Sequence, residues 1–108
     1  VAAKKGFTNH SIISPAKAGV EGLTVSLAAE LAPKIRVNCI APSLTKSKMS
    51  QILLKNTKSE ESIAKLHPLK RIGKGADAAS GAKFLLSNDS SWITGQIIGV
   101  DGGRSTLA

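Results

Sequence analysis

Residues 14–32 constrain the fold of this 108-residue chain more than any other stretch. Ser14-Pro15-Ala16-Lys17 reads as a helix start, with Ser14 at the N-cap and Pro15 at the first helical position, where its missing N–H costs nothing. Pro33 stops the helix. Along it, Val20, Leu23, Leu27 and Leu31 recur at spacings of three and four and form one stripe. Ala18, Gly22, Val25, Ala29 and Ala32 form a second, roughly opposite. A helix apolar on two sides requires two partners. The Leu stripe suits a sheet. The small-residue stripe lets another helix approach closely, either from a second subunit or from within the domain, although 108 residues offer little material to surround it.

Beyond Pro33 the pattern alternates between strand and helix. Ile35-Arg36-Val37-Asn38-Cys39-Ile40-Ala41 is a short, mostly apolar run ending at Pro42, which predicts a buried parallel strand over 35–41. Residues 43–72 are polar and broken, with short helices expected over 47–55 and 59–66, Ser59 starting the second. Such an insertion after a strand commonly lies over a ligand crevice. Asp77 is expected to cap a helix running to Leu86, weakened at Gly81 by ~1 kcal/mol relative to Ala. Residues 96–100 predict a second buried strand, closed by the Asp101-Gly102-Gly103 turn. Two strands joined through a helix imply a parallel crossover and an α/β fold. Residues 1–13 read as loop, with Gly6, Thr8-Asn9 and Ser11 as turn formers.

Composition removes several classes. Fifteen Lys and Arg against seven Asp and Glu give a formal charge of +8, which raises a nucleic-acid reading. The cations are spread along the chain in ones and twos, and stacking platforms are missing: two Phe, one Trp and no Tyr. Nucleic acid is therefore not an expected partner. No apolar run approaches the ~20 residues that span a bilayer, and no apolar stretch comes after Lys4-Lys5 to make a secretory signal. A cytoplasmic protein is expected. Cys39 is the lone cysteine, with only His10 and His67 as companions, so neither a disulfide framework nor a metal site is expected; it reads as a buried small apolar residue.

Ligands of parallel α/β sheets bind beyond the carboxyl ends of the strands. That points to residues 41–49 and the start of the long helix. No Gly-rich phosphate loop is written in the chain: Gly73-x-Gly75 is too short, and no helix comes after Gly102-Gly103.

Four segments in order carry a resemblance: residues 14–24 (SPAKAGVEGLT), 27–32 (LAAELA), 35–42 (IRVNCIAP), and Trp92-Ile93-Thr94-Gly95-Gln96 with Val100-Asp101-Gly102-Gly103. Together they resemble the C-terminal half of a short-chain dehydrogenase/reductase, over essentially the whole chain. The resemblance implies a partial Rossmann-like, doubly wound parallel sheet: the last two strands and their helices, as one domain over 1–108. The N-terminal dinucleotide-binding half is expected to be absent, so the chain is expected to be a fragment of a longer enzyme or the product of a truncated gene. The implied activity is hydride transfer between NAD or NADP and a small alcohol or carbonyl compound. Homo-dimers or homo-tetramers are implied through the helix of residues 16–32.

The family's central motif is Tyr-x-x-x-Lys. The Tyr is the general acid/base; the Lys binds the cofactor's ribose hydroxyls and lowers the Tyr pKa by its charge. Lys17 matches the Lys, but Ile13 stands at the Tyr position and has no proton to transfer. Three readings are open. Another group relays the proton, with His10, one turn before Ile13, as the candidate and Ser14 adjacent but in need of activation; or the protein binds cofactor without useful turnover; or it is a degenerate truncated product. A different class of protein, a non-catalytic Rossmann-like remnant that associates through its long helix, is the alternative. The 108 residues alone are expected to be inactive. Pro42 matches the family's Pro-Gly turn, with Ser43 in place of Gly. The resemblance further implies that Thr45, through its backbone, and Ser47, through its hydroxyl, hold the nicotinamide carboxamide. Trp92 reads as packing or subunit contact.

Overall fold

The computed structural model describes residues 2–108; Val1, the first residue of the expected loop, lies outside them. The elements in order are α1 (Ile13–Leu31), β1 (Cys39–Pro42), α2 (Thr57–Lys65), α3 (Gly75–Leu86) and β2 (Ile97–Val100). Single 3-10 turns occupy Ser50–Ile52 and Asn88–Ser90. β1 and β2 lie side by side and parallel, with Cys39 opposite Ile97, Ile40 opposite Ile98 and Pro42 opposite Val100. The α/β class and the parallel pairing are as the sequence pattern expects.

Helix α3 covers the face of the sheet that carries Ile40 and Val100. It comes in at Gly81, where a Cβ would stand 3.3 Å from Ile40 Cδ1 and 3.5 Å from Val100 Cγ2. The glycine that weakens the helix locally is thus what lets it reach the strands. Helix α1 serves the other side: its Glu21 shares a small cleft with Ala41, Ile97 and Gly99. Ala28 of α1 is buried, 3.5 Å from where a Cβ on Gly95 would sit.

Several boundaries differ from the sequence expectation, each for a physical reason. α1 begins at Ile13, and Ser14 is not its cap; Ser14 N–H donates to His10 O (2.8 Å), so the preceding turn runs into the helix and no side chain caps it. The first strand is only Cys39–Pro42, because residues 35–38 are held by side chains rather than by a ladder. Arg36 donates to the carbonyls of Leu85 (2.9 Å), Ser87 (3.3 Å) and Ile93 (3.2 Å). Asn38 bridges Ile93 O and Gln96 N. Both strands are half-buried rather than buried, and Cys39 with them. The helix expected over 47–55 is a single 3-10 turn, since Ser47 and Ser50 bond each other's backbone N–H through their hydroxyls. α2 is capped by Asn56, whose Oδ1 accepts from Ser59 N, so Ser59 lies inside the helix. α3 starts at Gly75, and Asp77 reaches back from the first turn to Lys74 N–H at 2.7 Å.

The expected Leu stripe of α1 is only partly covered. Leu27 and Leu31 are half-buried, while Val20 (50% exposed) and Leu23 (56%) remain open, as does Val25 (53%) on the other side. Among the described residues, Ala28 and Ile72 are the buried apolar side chains. The radius of gyration, 15.2 Å, exceeds the ~13 Å of a compact 100-residue domain. The described chain is two covered strands with helices extending beyond them.

Candidate functional site

Beyond the carboxyl end of β1 lies a cleft of about 500 Å³, within the usual range for small-molecule sites. Three parts of the chain build it. The segment 7–17 contributes Phe7, His10 and, from the first turns of α1, Lys17. The segment after β1 contributes Pro42, Ser43, Leu44, Thr45 and Ser47. The insertion closes the far side with Met49, Leu53, Ile63, Leu66 and His67. The polar insertion therefore does lie over the crevice. A second cavity of about 400 Å³, beside α3, shares Ser43, Leu44 and His67 with the first and adds Arg71, Asp77 and Asp101.

Of the residues singled out in the sequence, the structure brings Lys17, His10, Pro42, Ser43, Thr45 and Ser47 into this one cleft. Ile13 is not among its lining residues; it opens α1, half exposed. Lys17 takes part in neither of the ion pairs formed by the described residues, which are Lys46–Glu60 and Arg71–Asp77. Its ammonium is thus available to a ligand. Nδ1 of His10 lies 2.9 Å from Thr8 O, and its ring is tilted against Phe7 at 5.2 Å. The Thr45 hydroxyl is already used, donating to Ser43 O at 3.0 Å. Thr45 also bridges to Gly73, where a Cβ would come within 3.0 Å of Thr45 Oγ1. The Ser47 hydroxyl is engaged with Ser50.

The residue that sequence reasoning passed over is His67. It is 2% exposed, and both ring nitrogens are partnered: Nδ1 with Ile63 O at 2.9 Å and Nε2 with Ser43 Oγ at 2.8 Å. A carbonyl can only accept, so Nδ1 carries a proton. Ser43 and His67 are 24 positions apart, and no periodicity links them. The one local signal was Ser43 itself, a hydroxyl where the resemblance expects glycine.

Asp101 organises the turn after β2. Burial pushes its carboxyl upward, but bonds from Ser105 Oγ, Ser105 N–H and Gly103 N–H outweigh that and hold it below the usual carboxylate range. Gly102 and Gly103 take positive φ of 61° and 82°, the left-handed region that glycine enters without strain.

A family model described as enoyl-(acyl carrier protein) reductase matches residues 1–105. The chain belongs to the short-chain dehydrogenase/reductase family. It is 42% identical over 102 residues to the mouse (Mus musculus) protein named dehydrogenase/reductase SDR family member 4, covering 91% of this chain and 37% of that protein. It is 45% identical over 101 residues to the 3-oxoacyl-(acyl-carrier-protein) reductase FabG of Chlamydia muridarum, covering 93% and 39%. Among solved structures it superposes on ElxO with NADP bound at a TM-score of 0.85 and 34% identity, covering 95% of this chain and 42% of that one. The chain thus spans about two fifths of the length of these short-chain dehydrogenase/reductases, and its two parallel strands with their helices are part of the Rossmann-like sheet of that family. Among the described residues no helix is long and apolar enough to cross a membrane.

Proposed function

We propose that this chain is part of a cytoplasmic NAD(P)-dependent oxidoreductase that moves a hydride between the nicotinamide cofactor and a small alcohol or carbonyl compound. The observation that carries this is the gathering of Lys17, Pro42, Ser43, Thr45 and Ser47 in one cleft at the carboxyl end of β1, where parallel sheets bind ligands. The cleft has room for a sugar and a ring, and its one exposed ammonium from α1 suits ribose hydroxyls and a nearby phosphate charge. When bound, the cofactor supplies the hydride acceptor or donor. Lys17 would hold its sugar and the backbone around Thr45 its carboxamide, beside the apolar wall that Phe7, Met49 and Leu53 give the cleft. ElxO, the relative solved with NADP, supports a nicotinamide ligand and leaves NAD and NADP both open here. The 108 residues contain no Gly-rich pyrophosphate turn, so turnover belongs to the longer protein and not to this chain alone. The exposed small-residue side of α1, with Ala18, Gly22, Val25 and Ala29, is proposed as the face through which that protein forms dimers or tetramers.

The test is cofactor binding by the full-length protein, read from the fluorescence of NADH and NADPH. Lys17→Ala should weaken binding by roughly 10- to 150-fold, the scale of one charge-assisted contact of about 1.5–3 kcal/mol. Full-length protein that binds neither nucleotide refutes the reading.

A further inference from the structure

The chain has no tyrosine at all, and Ile13, at the position of the family's acid/base, does not line the cleft. The same cleft does contain a hydroxyl hydrogen-bonded to a buried imidazole. We propose that Ser43 and His67 form its proton relay, a proposal that rests on the oxidoreductase reading above.

The geometry is that of a hydroxyl activated by a base that is itself oriented by a third group. Ile63 O, at 2.9 Å from Nδ1, fixes the ring and its protonated nitrogen. Nε2 is thereby turned to Ser43 Oγ at 2.8 Å. That bond survives in either protonation state. Neutral His67 accepts from the Ser43 hydroxyl; the cation donates to it, leaving the hydroxyl proton free to point elsewhere. A pair that keeps its hydrogen bond while the proton moves is what a relay needs. His67 is 2% exposed, so its ring exchanges protons through Ser43 rather than with bulk water, and Ser43, half-exposed, presents the outer end to the cleft.

The step balances in both directions. In alcohol oxidation a bound nicotinamide cofactor would take the hydride from carbon. The alcohol's O–H proton passes to Ser43 Oγ as Ser43's own proton passes to His67 Nε2, giving a carbonyl and an imidazolium. Reduction reverses each transfer. The charged and titratable groups that line the same two cavities are Lys17 and His10 from the N-terminal side, Arg104 after β2, and Arg71, Asp77 and Asp101. His10 differs from His67 in having no hydroxyl partner among its hydrogen bonds.

The experiment uses the full-length protein with NAD(P) and a panel of small alcohols and ketones, together with ¹⁵N NMR of the histidine rings. Ser43→Ala and His67→Gln should each lower kcat by about 10²-fold or more, the usual scale of a lost acid/base, with KM little changed. The pair of substitutions together should cost no more than either alone, since the two act as a unit. Both should flatten the pH profile of kcat, and Ser43→Thr, which keeps the hydroxyl, should retain activity. NMR should show His67 protonated on Nδ1, with an Nε2 signal that shifts in Ser43→Ala. Ser43→Ala with unchanged kcat and pH profile overturns the relay and leaves the oxidoreductase standing. A His67 protonated only on Nε2 also overturns it, whatever the activity. Wild-type protein that binds neither nucleotide overturns the parent reading.

Discussion

At the scale of single residues, the side chains that matter most reach across the chain rather than along it. Arg36 ties residues 35–38 to the carbonyls that end α3, 49 and 51 positions away, where the helix leaves acceptors unfilled and favours a cation. Asp77 acts locally. Its carboxylate takes two bonds from Arg71, at 2.7 and 2.9 Å, and one from Lys74 N–H. The Arg71 hydrogen bonds, followed by the Lys74 N–H, pull its pKa from 3.8 to about 2. A carboxyl depressed in the folded state contributes stability that is complete above about pH 4 and lost as pH falls through about 2. Asp77→Asn should therefore lower the Tm of the full-length protein at pH 7 and make little difference near pH 2, as checked by thermal melts at about both values. A melt lowered equally at both would show that the charge is not involved.

At the scale of elements, Gly81 decides how α3 meets the sheet. The sequence marks it as a weak point in a helix, and the structure shows why it is tolerated: Ile40 and Val100 occupy the space where a side chain would begin. Gly81→Val should destabilise by about 1–3 kcal/mol through overpacking, measured by urea denaturation of the full-length protein, despite removing a helix-weakening glycine. The same contrast runs through the other elements. α1 was legible because Pro15, Pro33 and a 3.6-residue periodicity are local signals. The strand pair was legible from its β-branched runs. The extent of β1 was not, since Arg36 and Asn38 satisfy backbone groups through contacts 49–58 positions distant. Nor was the start of α2, because Asn56 and Ser59 are both good caps by type, and only the extended backbone at Asn56 (φ −147°, ψ 162°) makes it the one used.

At the scale of the whole molecule, the described chain leaves much apolar surface open. Trp92 is 98% exposed, Leu86 85% and Met49 87%, and the half-open sides of α1 add Leu23 and Val25. Such side chains scattered singly are ordinary, but here they accompany only two buried apolar ones, Ala28 and Ile72, among the described residues. The 108 residues produced by themselves should bind a hydrophobic dye such as ANS strongly and unfold without a sharp transition. The full-length protein should bind little dye and run as a dimer or tetramer in light scattering. A full-length monomer would remove the proposed role of the α1 face; a sharply melting, dye-free 108-residue chain would show that these side chains need no cover.

The sequence by itself determined the alternation of helix and strand, the parallel pairing, the family and the placement of Lys17 near the mouth of a crevice. All of these come from short-range signals: periodicity, proline and glycine punctuation, and motifs a few residues long. The tertiary structure alone decided that His67 would be buried against Ser43, that the second cavity would share both residues with the first, and that Ile13 would stay outside the cleft. Those outcomes depend on where the insertion after β1 folds back, which is set by packing between segments dozens of residues apart, and no local pattern of side chains encodes such a meeting.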